Sequence, residues 1–396
     1  MPNSVVDLLR DLVAIPSVNP MGRDVSGPEF FEGRMSDYLV GFFQKLGVPY
    51  ERLEVVPGRA NVIARYDSPG AKTTLLLDAH QDTVPVEGMT IPPFEPTVAD
   101  GRVYGRGSCD VKGGMAAMLW AFQRLVTERP AGAANVIMSC TCDEEQTSIG
   151  INDLTKLWTA PSGRSKLLTQ RPDAAIVAEP TLLHVVVAHR GATRFRIRTR
   201  GRACHSSNPS LGINAIYRMA KVVEALEEYA ALLPSKVTPH PLCGSATLSV
   251  GRIYGGTSVN VVPDDCAIEI DRRVVPGESS KDAITDMHQF LQSRLNFEFE
   301  FEPPWVDGCT LNNDQNGWLA DSLLRHIEPV AGPRQAIGVF YGTHASRTEA
   351  KGVTSVVFGP GSIDQAHTKD EWIAIDELEK AAEIYFRACV NPPTKS

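Results

Sequence analysis

No stretch of this chain is both long and apolar enough to span a bilayer, and no run of lysine and arginine is present to grip a polyanion. The net charge of −8 points the same way, so nucleic acid and anionic membrane surfaces are excluded as primary partners. The first thirty residues already carry Asp7, Arg10 and Asp11 and lack the apolar core of a secretory signal, which predicts a cytoplasmic protein. Eight cysteines among 396 residues are too few for a disulfide-framed scaffold. Most lie in apolar runs such as Val136-Ile137-Met138-Ser139-Cys140 or Cys266-Ala267-Ile268, as buried reduced thiols do. Cys140 and Cys142 are one residue apart, not the two of a redox pair or zinc knuckle. Internal repeats and low-complexity tracts are also missing. What is left, 43% hydrophobic and 22% charged residues, is an ordinary globular composition long enough for two domains or for one with an insertion.

The first two hundred residues alternate helical and strand patterns. Helices are predicted over 4–14, 30–46 and 113–128, and strands over 61–66, 73–78, 135–141 and 174–178. Continuous apolar strands of this kind are covered on both faces, so an α/β fold with a mainly parallel central sheet flanked by helices is expected. After Pro180 the pattern changes. Residues 194–199 alternate charged and apolar, the mark of a strand with one wet face. A long amphipathic helix over 212–232 follows, then strands over 246–254 and 265–275, a helix over 279–295 and a strand over 297–302. This β, α, β, β, α, β order is a small α+β sandwich. Pro303-Pro304 ends it, and a buried-looking strand at 354–358 and a helix at 376–388 follow. The expected organisation is a catalytic domain over 1–184 and 304–396, interrupted by an inserted domain over 185–303.

Chemistry-bearing residues collect where the strands of the first domain end. His80-Gln81-Asp82 follows one strand, Asp143-Glu144-Glu145 a second, Glu179-Pro180-Thr181 a third, and Gly359-Pro360-Gly361 with His367 a fourth. Asp110 closes a glycine-rich loop, Gly105-Arg106-Gly107-Ser108-Cys109-Asp110, that leads into a helix. One acidic residue at a helix start is ordinary capping, and a His and an Asp beside a turn are ordinary loop residues. Five strand ends and loops offering His, Asp, Glu, Glu and His to one rim are not. Two imidazoles and three carboxylates suit a pair of zinc-like divalent ions, with one carboxylate shared. Such sites hydrolyse amides and esters. Glu144 and Glu145 are adjacent on an extended backbone and so need separate roles, one toward metal and one as proton acceptor.

These stretches, in this order and with this insertion, resemble the M20 metallopeptidase and aminoacylase family. The resemblance is carried by Leu77-Asp78-Ala79-His80-Gln81-Asp82-Thr83-Val84-Pro85, by Gly105 to Gly114, and by Asp143-Glu144-Glu145, Glu179-Pro180-Thr181 and Ala366-His367-Thr368. It implies that Asp110 bridges two ions, zinc or alternatively cobalt, one completed by His80 and Glu179 and the other by Glu145 and His367. It further implies that Glu144 is the general base, that Asp82 orients His80, and that the Asp110-Val111 peptide is cis. In the insert, Ala203-Cys204-His205-Ser206-Ser207-Asn208-Pro209 resembles the family's lid motif. That likeness implies a homodimer through the inserted domain, with His205 stabilising the oxyanion in the partner's site, and a lid that closes. Asn260 and Arg273 resemble positions that bind the substrate's carbonyl and carboxylate, a guanidinium being suited to bidentate carboxylate capture.

One segment departs from the pattern. Relatives commonly carry an aspartate in a Gly-Thr-Asp-like stretch, whereas this chain reads Tyr341-Gly342-Thr343-His344-Ala345-Ser346. The Gly342-Thr343 backbone is retained as a substrate contact, and the side chain the pocket accepts becomes an open question. The other histidines, 184, 189, 240, 288 and 326, are isolated and carry no signal. The stretch Phe358-Gly359-Pro360-Gly361-Ser362 with Gln365-Ala366-His367-Thr368 looks like the acetylornithine deacetylase branch. The expected reaction is removal of an N-acyl group from an amino acid, acetylornithine first. Succinyl-diaminopimelate desuccinylase or a broader aminoacylase or dipeptidase is the alternative. A non-catalytic binding protein is disfavoured because every ligand position and the base are occupied by competent residues. A nucleotide enzyme is discarded for want of a Walker or dinucleotide motif.

Overall fold

The computed structural model describes residues 1–160 and 163–393. In chain order it begins with α1 (Val5–Val13), α2 (Gly33–Leu46), β1 (Tyr50–Val56), β2 (Arg59–Tyr66), β3 (Thr74–His80), β4 (Thr97–Ala99), β5 (Arg102–Tyr104) and α3 (Lys112–Glu128). Then come β6 (Asn135–Thr141), α4 (Ile149–Thr159), β7 (Ala174–Val177), β8 (Val185–His189), β9 (Gly191–Arg200), α5 (Ala215–Lys236), β10 (Thr247–Gly255), β11 (Asp265–Val274), α6 (Ser280–Arg294), β12 (Phe299–Phe301) and β13 (Val306–Asp307). The chain closes with α7 (Gly317–Ala331), β14 (Ala336–Val339), α8 (His344–Glu349), β15 (Thr354–Val357), β16 (Trp372–Ala374) and α9 (Ile375–Val390). It divides into two compact units. The first comprises Met1–Val187, Asn313–Ile337 and Thr343–Ser396; the second comprises Ala188–Asn312 and Gly338–Gly342.

The first unit is built on a sheet ordered β1-β2-β6-β3-β7-β15-β8-β14. Its centre is parallel, β6, β3, β7 and β15 running side by side. The β1–β2 hairpin and β8 are antiparallel to their neighbours. Side chains alternate as a doubly covered sheet requires. Leu75, Leu77, Val136, Met138 and Ile176 face the large core that includes α1, α2, α3 and α9, while Leu76, Ile137 and Ala175 face a smaller core with Ile151 and Leu154 of α4. Four adjacent parallel strands end at one edge, and that edge receives the residues singled out above. No helix among the described residues is long and apolar enough to cross a membrane.

The second unit has the expected β, α, β, β, α, β order, with the sheet β10-β11-β9-β12 and β13 added beside β9. Its helices α5 and α6 cover one face through Met219, Val222, Leu226, Met287 and Leu291 against Phe195, Ile197, Ile268 and Ile270. Helix α5 starts three residues later than the periodicity predicts, because Asn214 acts as its cap and accepts a hydrogen bond from the Tyr217 N–H at 3.1 Å.

The unit boundaries differ from 185–303. Val185 and Val187 are buried in the first unit's core, so the second unit starts at Ala188. Pro303-Pro304 does not end the insert: β13 pairs with Arg194 and Thr193, and the Gly308 N–H donates to the Ala192 carbonyl at 2.8 Å. The return segment Gly338–Gly342, expected in the catalytic domain, packs with the second unit. The Arg190 guanidinium lies 4.5 Å from the Phe340 ring centroid, and a Cβ on Gly338 would stand 2.5 Å from the Leu242 carbonyl oxygen.

Candidate metal centre

The ends of β3 and β6 and the loops before α3 and after β15 bring His80, Asp110, Glu145 and His367 together. Ligand atoms of His80, Asp110 and Glu145 all lie within 4.8 Å of one another. Asp110 divides its carboxylate between two imidazoles: Oδ1 is 3.2 Å from His80 Nε2, and Oδ2 is 3.3 Å from His367 Nε2. His367 Nε2 also sits 3.3 Å from Glu145 Oε2. Glu179, buried, and Glu144, half-buried, lie within electrostatic reach of the same group. The Asp110-Val111 peptide is cis, and Asp143 and His367 adopt left-handed backbone conformations, with φ of 59° and 62°. Non-glycine residues rarely hold that conformation, and here each stands where the chain turns to offer a site residue.

The electrostatics are those of a cation site. Burial pushes Glu144 up to about 8 and Glu145 up to about 6, with neighbouring carboxylates adding to the effect and His80 opposing it. Glu179 is raised for the same reason. Burial opposes charge on Asp110 as well, but hydrogen bonds from His367 and His80 hold its carboxyl well below the usual range. Hydrogen bonds to Asp110 and Glu145 lift His367 to about 11. Glu145 Oε1 is buried without a hydrogen-bond partner. Three water-starved carboxylates, an orphaned carboxylate oxygen and two imidazoles are a donor set that divalent cations satisfy and protons satisfy poorly.

Asp82 and several residues that the sequence did not single out hold this centre in place. Asp82 does more than sit near His80. His80 Nδ1 lies 2.9 Å from the Asp82 carbonyl oxygen and 3.6 Å from its carboxylate. The carboxylate instead accepts the backbone N–H groups of Glu144 and Glu145, at 3.1 and 3.2 Å, and the Asn19 amide at 2.8 Å. It therefore fixes the peptide carrying both glutamates. Behind it, the buried Arg59 guanidinium bonds Glu32 and Asp143, and Asn19 also donates to Asp143 at 2.9 Å. On the opposite side, Glu371 is fully buried and gathers the Asp110 loop. One of its oxygens accepts from the N–H groups of Cys109 and Asp110, at 2.9 and 3.0 Å; the other accepts from Gly107 N–H and the Arg106 guanidinium, at 2.9 and 2.7 Å. Glu371 lies four residues beyond His367, so one carboxylate ties two ligand-bearing loops together. Glu179 is set by close backbone approach. A Cβ on Gly359 would meet the Glu179 carbonyl oxygen at 2.5 Å, so only glycine fits there.

A family model described as peptidase family M20/M25/M40 matches residues 76–391. The chain belongs to this family. It is a metallo-hydrolase that acts on amide bonds. It is 31% identical to an acetylornithine deacetylase of Vibrio campbellii across 98% of each chain. To one from Photorhabdus laumondii it is 33% identical, across 96% of this chain and 94% of that one. The structure of an M20 family metallo-carboxypeptidase from Sulfolobus solfataricus shares the fold, with a TM-score of 0.76 at 20% identity, covering 98% of this chain and 99% of that one.

The remaining residues singled out in this M20 chain lie mostly in the second unit. His205 and Asn260 are brought side by side: His205 bridges Val261 in antiparallel fashion, and the Ser206 N–H donates to the Asn260 carbonyl at 3.0 Å. Both are exposed, and His205 Nδ1 is engaged by the Ser207 hydroxyl at 2.7 Å. Arg273 lies on β11 with its guanidinium on Asp271 at 2.5 and 3.1 Å. Its neighbour Arg272, pointing the other way, is fully buried on Glu278. Gly342 is exposed in the second unit, whereas Thr343 is buried in the first and caps α8 through its hydroxyl.

Proposed function

We propose that this M20 hydrolase removes the acetyl group from N-acetylornithine, a step of arginine biosynthesis. The observation that carries the reading is the centre itself, Asp110 shared between His80 and His367 beside a half-buried Glu144, in a chain about 31% identical to acetylornithine deacetylases along nearly its whole length. His80, Asp110 and Glu179 would hold one divalent ion, and Asp110, Glu145 and His367 the other, zinc being the expected metal and cobalt a substitute. Bound there, the ions would supply Lewis-acid polarisation of the scissile carbonyl and acidify the attacking water. Glu144 would take the proton from that water and pass it to the leaving amine nitrogen as the C–N bond breaks. A half-buried carboxyl pushed up to about 8 is suited to both halves of that transfer. Asp82 would keep Glu144 and Glu145 on their separate tasks by holding both their N–H groups. Asn260 would bind the substrate's carbonyl, Arg273 its carboxylate, and the Gly342-Thr343 backbone its body.

The second part of the proposal is a homodimer through the inserted unit, with His205 stabilising the oxyanion in the partner's site. Its support is β10, the edge strand of the second sheet, which leaves Ile253 58% exposed and Tyr254 40% exposed, with Tyr217 and Val259 open beside a groove of about 830 Å³.

The test is hydrolysis of N-acetylornithine, N-succinyl-diaminopimelate, N-acetylmethionine and a glutamyl dipeptide by zinc- and cobalt-loaded protein. A dominant rate on acetylornithine supports the reading, and a dominant rate on another member replaces it. Mixing Glu144→Gln with His205→Ala protein tests the shared site. Activity restored on mixing two inactive variants supports His205 acting in trans; its absence sinks that role.

A further inference from the structure

His344 opens α8 and does not stand free. The imidazole is buried, 1% exposed, at the first residue of α8. Its Nδ1 lies 2.8 Å from Asp78 Oδ2 and 3.3 Å from the Thr141 hydroxyl. The other oxygen of Asp78 accepts from the hydroxyls of Ser139 and Thr141. Asp78 precedes His80 by two residues on β3, so the two side chains share a face of the strand. Below them on that face are Leu76 and Ile137 of the smaller core. The group of Asp78, Ser139, Thr141 and His344 is thus a polar layer between an apolar core and the metal rim. His344 Nε2 is buried and bonds to nothing among the described residues.

A buried polar cluster with one unsatisfied nitrogen is costly to keep, and an apolar layer would pack there without it. The hydrogen bond that the cluster does make joins two elements far apart in sequence: strand β3 and the first turn of α8. Thr343, the residue just before His344, accepts the Ala345 N–H on its hydroxyl at 3.2 Å and the Ser346 hydroxyl on its carbonyl at 3.0 Å. The chain re-enters the first unit at this residue. His80 has its own supports in the Asp82 carbonyl and Asp110, so it does not need this pair for its orientation.

We propose that the Asp78–His344 pair is a positioning device: the bond from strand β3 to His344 Nδ1 fixes the first turn of α8 and so sets where the Thr343 backbone meets substrate. The proposal rests on the reading of Thr343 as a substrate contact.

The test uses the metal-loaded protein and four changes: His344→Asn, His344→Gln, His344→Leu and Asp78→Leu, with the Asp78→Leu/His344→Leu double variant. Because Nε2 bonds to nothing, asparagine, whose amide nitrogen stands where Nδ1 stands, should keep every polar contact. Glutamine puts its donor where Nε2 is and should not. His344→Leu and His344→Gln are expected to raise KM about tenfold or more with kcat within about threefold, and His344→Asn to recover most of that loss. Each single leucine variant should lower the urea unfolding midpoint by stranding the other partner, and the double variant should lose less than the two single losses together, without recovering KM, since Ser139 and Thr141 still lack their acceptor. Equal KM values for the Asn and Gln variants, or recovery of KM along with stability in the double variant, overturn the proposal. If the leucine variants do not fold, the Asn and Gln pair decides alone. If no member of the substrate panel is turned over, the functional reading fails, while a strictly additive unfolding cycle would independently overturn the coupling.

Discussion

Two sets of guanidinium–carboxylate pairs in this protein use the same chemistry for opposite ends. Around the metal centre, Arg59 with Glu32 and Asp143, and Arg106 with Glu371, are almost wholly removed from water. On the wet face of the second sheet, Arg194, Arg196, Arg198 and Arg200 alternate along β9 and pair with Asp271, Glu269, Glu302, Asp265 and Glu300. Buried pairs are poor stabilisers, because desolvation consumes what attraction supplies, yet losing one partner is severe. Exposed pairs cost little to make and contribute little. The interior pairs are kept for where they put Glu144, Glu145 and Asp110, whereas the ladder keeps one face of the insert wet and its strands in register.

The largest effect should come from the centre that the buried pairs serve. Glu144→Gln should lower kcat by about a hundredfold to ten-thousandfold while both metal ions remain bound, as elemental analysis of the purified variant would show. An unchanged kcat would remove Glu144 from the mechanism. One step out, Arg59→Met leaves Glu32 and Asp143 buried without their cation and should cost about 3 kcal/mol or more in urea unfolding. A loss below about 1 kcal/mol would make this pair no different from the surface ladder.

Removing the metal turns the comparison into a pH dependence. Glu145, raised to about 6, and Glu144, raised to about 8, hold protons in the folded state that the unfolded chain has already released. Groups raised in this way contribute stability at low pH and lose it as pH rises through their folded values. Chelator-stripped protein should therefore lose stability steadily between about pH 5 and 8. Protein reloaded with zinc should show a much flatter profile, because bound cations replace the protons. Parallel profiles for the two forms would mean that Glu145 is not a metal ligand and that no bound cation stands beside Glu144.

Much of this centre was legible in the sequence, and the reason is local. Apolar strands at 73–78, 135–141 and 174–178 each run into an ionisable cluster, and parallel neighbours in a sheet put those clusters on one edge. The supports were not legible. Glu371 sits 262 and 261 residues from the Cys109 and Asp110 N–H groups it gathers, and nothing in Lys369-Asp370-Glu371 distinguishes a loop-gathering carboxylate from a solvated one. Arg59 opens a strand read as starting at 61, and β1 escaped because Tyr50–Val56 alternates like an exposed segment at a sheet edge. The boundary of the insert was missed for a related reason. Pro303-Pro304 marks a break in secondary structure, whereas the pairing of β13 with β9 is a long-range contact that leaves no local trace.

The smallest effect tests the other side of the comparison. Arg200 pairs with Asp265 and Glu300, but the side chains are 58%, 43% and 54% exposed. Its guanidinium gives up little water on pairing, and ordering three long side chains costs entropy of similar size. Arg200→Met should therefore change unfolding stability by less than about 1 kcal/mol, and that difference should shrink further in molar salt, where screening acts over about 3 Å. Arg198 is the sharper case. It is 22% exposed and shared by Asp265 and Glu302, so it sits between the two regimes on the same strand. If burial decides what a pair does, Arg198→Met should cost more than Arg200→Met and less than Arg59→Met under one set of conditions. A ladder arginine that cost as much as Arg59 would show that the wet face is a working part of the insert's stability, and the contrast between the two regions would fail.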